Sequence, residues 1–266
     1  MSKKILITGA TDGIGFETAK MLNARGHHLL LHGRNPDKLN KLIEQLQATS
    51  SGSQLESYCA DLSQPAEVEA LAQSITNNHD QLDVIINNAG VFKIPQTTTA
   101  EGLDARFMVN TIAPYMLTKG LMPLLGKSSR VINLSSAAQM PVDLAALTGD
   151  EQLGDNAAYA QSKLALTMWT FQLASQLDSG PALIAVNPGS LLASKMVKAA
   201  YGIAGSDLKI GADILTRAAL DDEFASASGQ YYDNDARQFA PPHPDASDTQ
   251  KCSQLVATIE SIIANW

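Results

Sequence analysis

Six short apolar runs, at residues 4–8, 28–32, 55–60, 82–86, 130–134 and 183–186, alternate along the chain with segments of helical periodicity at 14–25, 36–48, 65–78, 103–125 and 157–177. Each run has the length and the Leu-rich or β-branched content of a strand buried on both faces. Pro36 and Pro65 stand where the opening turn of a helix tolerates a residue without an N–H. Alternation of this kind predicts an α/β fold: a doubly wound parallel sheet of about seven strands with helices on both faces, binding its ligands beyond the carboxyl ends of the strands. The 266 residues suffice for one such domain and are too few for two. Residues 1–266 are therefore expected to form a single nucleotide-binding domain, with Pro241-Pro242-His243-Pro244 a rigid exposed turn before a last helix near 251–264.

Composition narrows the function by exclusion. A formal net charge of −8 without any basic run argues against binding a phosphate backbone. Cys59 and Cys252 lie far apart with no metal-type spacing, so neither a disulfide framework nor a zinc site is expected, and His27, His28 and His32 read as structural. The first apolar run begins almost at the first residue, which leaves no room for a signal peptide, and no run approaches the ~20 residues of a membrane span. A cytoplasmic address is the expectation.

Chemistry enters at the first turn. Thr8-Gly9-Ala10-Thr11-Asp12-Gly13-Ile14-Gly15 follows the first strand directly and opens the first helix, the context in which backbone N–H groups and a helix dipole hold a dinucleotide diphosphate. One glycine permits the tight turn, one the approach of the diphosphate and one close helix–sheet packing. The spacing is G-x-x-x-G-x-G, not the general G-x-G-x-x-G fingerprint.

With this turn, Asp61-Leu62 after the third strand, Asn87-Asn88-Ala89-Gly90 after the fourth, Asn110 in the long helix, Ser136 after the fifth strand, Tyr159-x-x-x-Lys163 and Pro188-Gly189 after the sixth, the sequence resembles the short-chain dehydrogenase/reductase family, single-domain Rossmann-type branch, over nearly its whole length. The resemblance implies that Asp61 meets the adenine ring, that Asn87, Ala89 and Gly90 line the cofactor groove, and that Asn110, Ser136, Tyr159 and Lys163 form a catalytic tetrad. The long stretch 139–156 between Ser136 and Tyr159 is similar to the retinol-dehydrogenase-like subgroup. Members of that subgroup often carry an N-terminal membrane anchor, which this chain does not show, so a retinoid substrate is not what the sequence favours. Where the family contacts the nicotinamide amide, Ser194 is the candidate.

The tetrad has a physical logic of its own. Tyr159 and Lys163 are four residues apart and share a helix face. A tyrosine with a pKa near ~10 is a poor base at neutral pH, and a neighbouring ammonium lowers it toward the working range. Ser136 would stabilise charge on the substrate oxygen, and Lys163 would also hold the nicotinamide ribose. The residues alone leave Ser135 beside Ser136 as a competitor, since alternation sends the two to opposite sides; family alignment favours Ser136. Asn110, by the same resemblance, would hold a water linking Lys163 to solvent.

Cofactor and substrate preferences follow from two further segments. At the end of the second strand Leu31-His32-Gly33-Arg34-Asn35 has no acidic residue for ribose hydroxyls; Arg34 suits a 2′-phosphate and Gly33 leaves space for it, favouring NADP(H) without excluding NAD(H). Gly9, Thr11, Asp12, Gly13, Ile14, Gly15, Leu62, Pro188 and Gly189 complete the expected cofactor contacts, although Asp12 stands where NADP-binding relatives often carry a basic residue. After Pro188-Gly189, residues 188–207 read either as an apolar substrate lid with Gly202 and Gly205 as hinges or as an amphipathic helix closing the core. Leu164, Met168 and Phe171 are expected to face the sheet and Trp169 and Gln172 another side, while the family resemblance implies a homodimer or homotetramer through this helix and 103–125. Two other functions share parts of this pattern: a non-catalytic NADP(H)-binding regulator, which would lack the proton-transfer residues present here, and a sugar-nucleotide epimerase or dehydratase, which would have a larger C-terminal region.

Overall fold

The structure, a computed structural model, describes residues 2–49, 52–193, 202 and 205–266. Its sheet has eight strands in the order β3-β2-β1-β4-β5-β6-β7-β8. They are β1 (Lys4–Ile7), β2 (His28–Gly33), β3 (Leu55–Cys59), β4 (Leu82–Asn87), β5 (Leu125–Leu134), β6 (Ala182–Asn187), β7 (Gln230–Asp233) and β8 (Gln238–Phe239). All pairings are parallel except that of β8 with β7. Six strands match the apolar runs; β7 and β8 are additions, too short and too polar at their ends to stand out in the sequence.

Side-chain alternation splits the core in two. Leu6, Leu30, Ile85, Val131 and Leu183 face one side, where they meet α3 (Pro65–Asn78) and the helices that carry the tetrad. Their neighbours Ile5, Ile7, Leu29, Leu31, Val84, Ile86, Ile132 and Ile184 face the other, against α1 (Gly13–Ala24), α2 (Pro36–Gln47) and α7 (Leu208–Leu220). Burial on both faces is why the strands read as continuous apolar runs.

The segment 103–125, expected as one helix, is instead a composite, α4: a turn Ala105–Phe107, a π-helical turn Met108–Ile112 and a helix Ala113–Leu121. A short 3-10 turn Met122–Leu124 then leads directly into β5. Pro114 explains the break, because it has no N–H to give to the carbonyl four residues back, that of Asn110; the Ala113 N–H bonds to Met108 O. The stretch 139–156 holds a single short helix, α5 (Leu144–Thr148), capped by Asp143 and ended by Gly149 at φ +88°.

The last helix, α8 (Thr249–Ala264), is capped by Asp248 and packs on α6 (Asp155–Ser175). Trp169, on the side of α6 away from Leu164 and Met168, is fully buried, edge-on to Tyr115 of α4 with ring centroids 5.6 Å apart, in the cluster that includes Leu255 and Ile259 of α8. Tyr115 donates a hydrogen bond to Glu260 of α8 at 2.7 Å. Part of the α4 and α6 surface on which copies of the chain were expected to meet is thus occupied within the chain.

Candidate active site

The first turn is built almost wholly from backbone. Gly9 has φ +64° and lies so close to β4 that a Cβ there would stand 2.9 Å from the Ala89 Cα; on Gly15 a Cβ would collide with Asn88 Nδ2 and come 2.5 Å from the Gly9 carbonyl oxygen. Gly13, at φ +58°, is the opposite case, since its Cβ direction opens into unoccupied space. Two glycines therefore press the turn onto the start of the loop after β4, and the third leaves the helix N-terminus bare toward the outside, which fits a diphosphate. Asp12 caps α1 by accepting the Gly13 N–H at 2.8 Å, placing a carboxylate where that anion would come. Ile14 of α1 packs against Gly211 of α7, a Cβ on which would stand 3.2 Å from two Ile14 carbons.

Three side chains, none of them among the expected cofactor contacts, fasten this turn to its neighbours. Thr8 Oγ1 accepts the Ala89 N–H at 3.0 Å, and Asn88 Nδ2 donates to the carbonyls of Thr8 and Gly9 at 2.8 and 3.2 Å. Buried His32 accepts the Gly9 N–H on Nδ1 at 3.3 Å and its Nε2 lies 3.0 Å from the Ala60 carbonyl, joining the ends of β1, β2 and β3. Burial lowers the His32 pKa, consistent with a neutral ring that accepts on one nitrogen and donates from the other. Asn88 lies within the Asn87-Asn88-Ala89-Gly90 motif and His32 next to Gly33, but neither carries a local signal of partners so far away in sequence.

Gly33 is a correction. The space expected above it is filled, because a Cβ would stand 2.7 Å from the Thr11 methyl and 3.4 Å from two Leu39 carbons. Arg34 is exposed just beyond it. Asp61 is half-buried and accepts from the Ser63 N–H and hydroxyl at 2.9 and 2.8 Å, with Leu62 buried beside it. Asn87 points inward: its amide donates to Asn133 Oδ1 at 2.8 Å and Thr118 Oγ1 at 3.3 Å.

The four residues expected to form a tetrad come from the α4 break, the end of β5 and the first turns of α6. Asn110 locks the loop after β4, accepting the Val91 N–H at 2.8 Å and donating to the Val91 carbonyl and the Ser162 hydroxyl, both at 2.9 Å. Ser162 in turn donates to the Tyr159 carbonyl at 2.7 Å. Gly90 lies between two members: a Cβ on it would stand 3.3 Å from Asn110 Oδ1 and 3.4 Å from Lys163 Nζ. Lys163 is buried, donates to the Leu134 carbonyl at 2.7 Å and has its pKa pushed down to about 8 by desolvation. Its ammonium is 5.8 Å from the centre of the Tyr159 ring, which packs on buried Phe92 at 4.7 Å between centroids. Arg106, buried and paired with Asp104 and with Asp155 in the first turn of α6, holds the start of that helix against α4.

Ser135 and Ser136 diverge as alternation requires. Ser135 is buried against α6, within 2.7 Å of Thr167 Oγ1. Ser136 is half-buried past the strand end; its hydroxyl accepts the Ala138 N–H at 3.1 Å, and its carbonyl accepts from Gln139 Nε2 at 2.9 Å and Tyr231 of β7 at 3.1 Å. Pro188 and Gly189 follow β6, with Gly189 at φ +120°. Ser194 lies outside the described residues, as do Met196, Val197, Tyr201 and Ile203 of the expected lid. The base of that excursion is closed: Ala193 N–H donates to the Ser206 carbonyl at 2.7 Å and Ser206 N–H to the Leu191 carbonyl at 2.8 Å.

A family model described as short chain dehydrogenase matches residues 3–204. The chain belongs to the short-chain dehydrogenases. Within the family it stands near the retinol dehydrogenases: it is 30% identical to human retinol dehydrogenase 13 over 96% of this chain and 82% of that protein, and 35% identical to bovine retinol dehydrogenase 12 over 75% and 64%. Among solved structures, an uncharacterised protein from Mycobacterium paratuberculosis superposes with a TM-score of 0.80 at 26% identity, covering 98% of this chain and 93% of that one. A short chain dehydrogenase of Escherichia coli CFT073 complexed with NADPH gives 0.71 at 25% identity, covering 87% and 96%. The protein is accordingly an NAD(P)-dependent oxidoreductase acting on a small molecule. Among the described residues no helix is long and apolar enough to cross a membrane, and no group of His, Cys, Asp or Glu is arranged to hold a metal.

Proposed function

We propose that residues 1–266 form one NADP(H)-dependent unit that interconverts a carbonyl and an alcohol on an apolar small molecule, with Tyr159 as the general acid and base. The observation that carries this reading is the buried Lys163 ammonium beside the Tyr159 ring, at the place where Asn110, Gly90 and the end of β5 converge. A bound nicotinamide supplies the hydride donor or acceptor.

The protein supplies the proton chemistry and the orientation. A cation near the phenol favours the phenolate, which brings a poor base toward the working pH. Burial that lowers the Lys163 pKa still leaves this group protonated below about 8, so the charge is in place at neutral pH. The Ser136 hydroxyl, past the strand end, would steady charge on the reacting oxygen. Pro114, by withholding a helical N–H, leaves the Asn110 carbonyl suited to a water that passes protons between Lys163 and solvent. Phe92 stacks on the Tyr159 ring and restricts its rotation. Arg34, exposed past β2, supports a 2′-phosphate by charge and fork geometry, not by the pocket first ascribed to Gly33. Solved relatives complexed with NADP and with NADPH favour the same cofactor.

The test follows absorbance of NADPH and, separately, NADH with a panel of apolar ketones, aldehydes and quinones. Tyr159→Phe is expected to lose activity by about 10³-fold while binding NADPH as before, and Arg34→Ala to weaken NADPH about tenfold with NADH unchanged. Equal turnover by the Tyr159→Phe variant would remove Tyr159 from the chemistry.

A further inference from the structure

The family match ends at residue 204, yet the β7–β8 hairpin beyond it grips the loop that follows β6. We propose that the turn Asp233-Asn234-Asp235 is a positioning device for the loop 188–192, with Asp235 its principal residue, and that it sets how this loop meets the nicotinamide end of the cofactor. The second half of that statement rests on the cofactor reading above.

The loop has a shape it would not hold alone. Gly189 has φ +120°, and Leu191, two residues on, has φ +52°, a left-handed conformation unfavourable for a side chain branched beyond Cβ. Strained backbone of this kind persists only where its surroundings over-determine it. The turn fixes the residues that lead into Leu191, while the Leu191 carbonyl itself accepts the Ser206 N–H. Asp235 Oδ1 accepts the Ser190 N–H at 2.8 Å, and Oδ2 accepts the Ser190 hydroxyl at 2.5 Å and Asn187 Nδ2 at 2.9 Å. Asn234 Nδ2 donates to the Pro188 carbonyl at 2.9 Å, and Asp233 Oδ1 accepts from Asn187 Nδ2 at 2.8 Å and from the Asp235 N–H at 3.1 Å. The Gly189 N–H donates to Asn187 Oδ1 at 3.2 Å, so Asn187 is held from both directions.

Each residue from 187 to 190 is thus fastened, and the strained Leu191 comes immediately after. Partial burial acts to raise the Asp235 pKa, but the hydrogen bonds from Ser190 and Asn187 outweigh it and hold the carboxyl below its ordinary range. The carboxylate therefore remains an acceptor across neutral and mildly acidic pH. Hydrogen bonds to an ionised group are the strong ones, which makes Asp235 the residue whose loss matters most.

Two measurements on the full chain test the proposal. In the cofactor-free protein, hydrogen exchange of the Ser190 amide is expected to quicken by about tenfold in Asp235→Asn and Asp235→Ala. In binding titrations the same variants are expected to weaken NADPH by about tenfold while adenosine 2′,5′-bisphosphate, which lacks the nicotinamide end, binds within about twofold of the unaltered protein. Ser190→Ala, a milder change at an exposed residue, should shift both readouts in the same direction by less, and its effect should not add to that of Asp235→Ala. Unchanged exchange in the Asp235 variants, or equal weakening of both probes, overturns the proposal. Failure of the unaltered protein to bind NADPH would overturn the cofactor reading instead, and the exchange measurement would still decide whether the turn holds the loop.

Discussion

The two ends of the sheet build their parts of the site by opposite means. On the β1–β2–β4 side the shape of the first turn depends on glycines whose missing side chains let Gly9 and Gly15 sit against Ala89 and Asn88 just past β4, with Thr8, Asn88 and His32 fastening the result. On the β6–β8 side the Pro188 loop is shaped by three side chains of the 233–235 turn, more than forty residues along the chain: Asn234 and Asp235 bond the loop itself, and Asp233 and Asp235 hold Asn187 at its start. The contrast teaches where tolerance lies: a backbone-shaped site rejects added atoms, whereas a side-chain-shaped site loses strength bond by bond. Lys163 stands between the two, buried at the centre and bonded to neither edge.

The largest effect is expected at that centre. Lys163→Met should abolish turnover and yet stabilise the protein by about 2–3 kcal/mol at pH 7, because an ammonium whose pKa is lowered from 10.5 to about 8 costs folding free energy wherever it is charged. The sign follows from proton binding: between about 8 and 10.5 the unfolded chain holds this proton better than the folded one, so the stability of the unaltered protein should rise across that window, and the variant should not share the rise. Denaturant unfolding at pH 7, 8.5 and 10 checks it; a variant that is less stable at pH 7 would mean that the Leu134 bond outweighs desolvation.

Gly15→Ala should come next, with a loss of about 2 kcal/mol and of most cofactor affinity, since the new methyl must displace the Gly9 carbonyl and Asn88 together. Tyr231→Phe removes one hydrogen bond to the Ser136 carbonyl, leaving that of Gln139, and should cost about 1 kcal/mol. Thermal melts of the two variants side by side sharpen the contrast; if Tyr231→Phe proves the more damaging, the contrast between rejecting atoms and losing single bonds fails. Smallest of all, Asp12→Ser keeps an oxygen acceptor for the Gly13 N–H while removing a negative charge from the helix N-terminus, and NADPH should bind about two- to fivefold more tightly. A titration at two salt concentrations would show the gain shrinking as salt rises.

The parts that were legible in the sequence are the parts made by local rules. Two-sided burial of a parallel sheet leaves continuous apolar runs, and a strand–glycine–helix turn has a spacing that survives without any knowledge of its neighbours. Tyr159 and Lys163 could be paired from helix geometry, whereas strand alternation said only that Ser135 and Ser136 diverge, and the choice of Ser136 came from the family resemblance. The break in α4 had its signal in Pro114, but periodicity over the longer segment masked it. Gly33 misled, because an absent side chain says nothing about which distant atoms fill the space, and Thr11 fills it.

By itself, the sequence determined the succession of strands and helices, the two-faced sheet and the strand–glycine–helix turn that opens it. Each of these depends on contacts within a turn of helix or the pleat of a strand, which amino-acid pattern encodes directly. Only the tertiary structure decided that His32 joins three strand ends, that Trp169 is sealed beneath the last helix and that Asp235 holds the loop after β6. Those outcomes depend on which distant segments the closed sheet brings within 3 Å of one another, and polar side chains carry no mark of a partner that far along the chain.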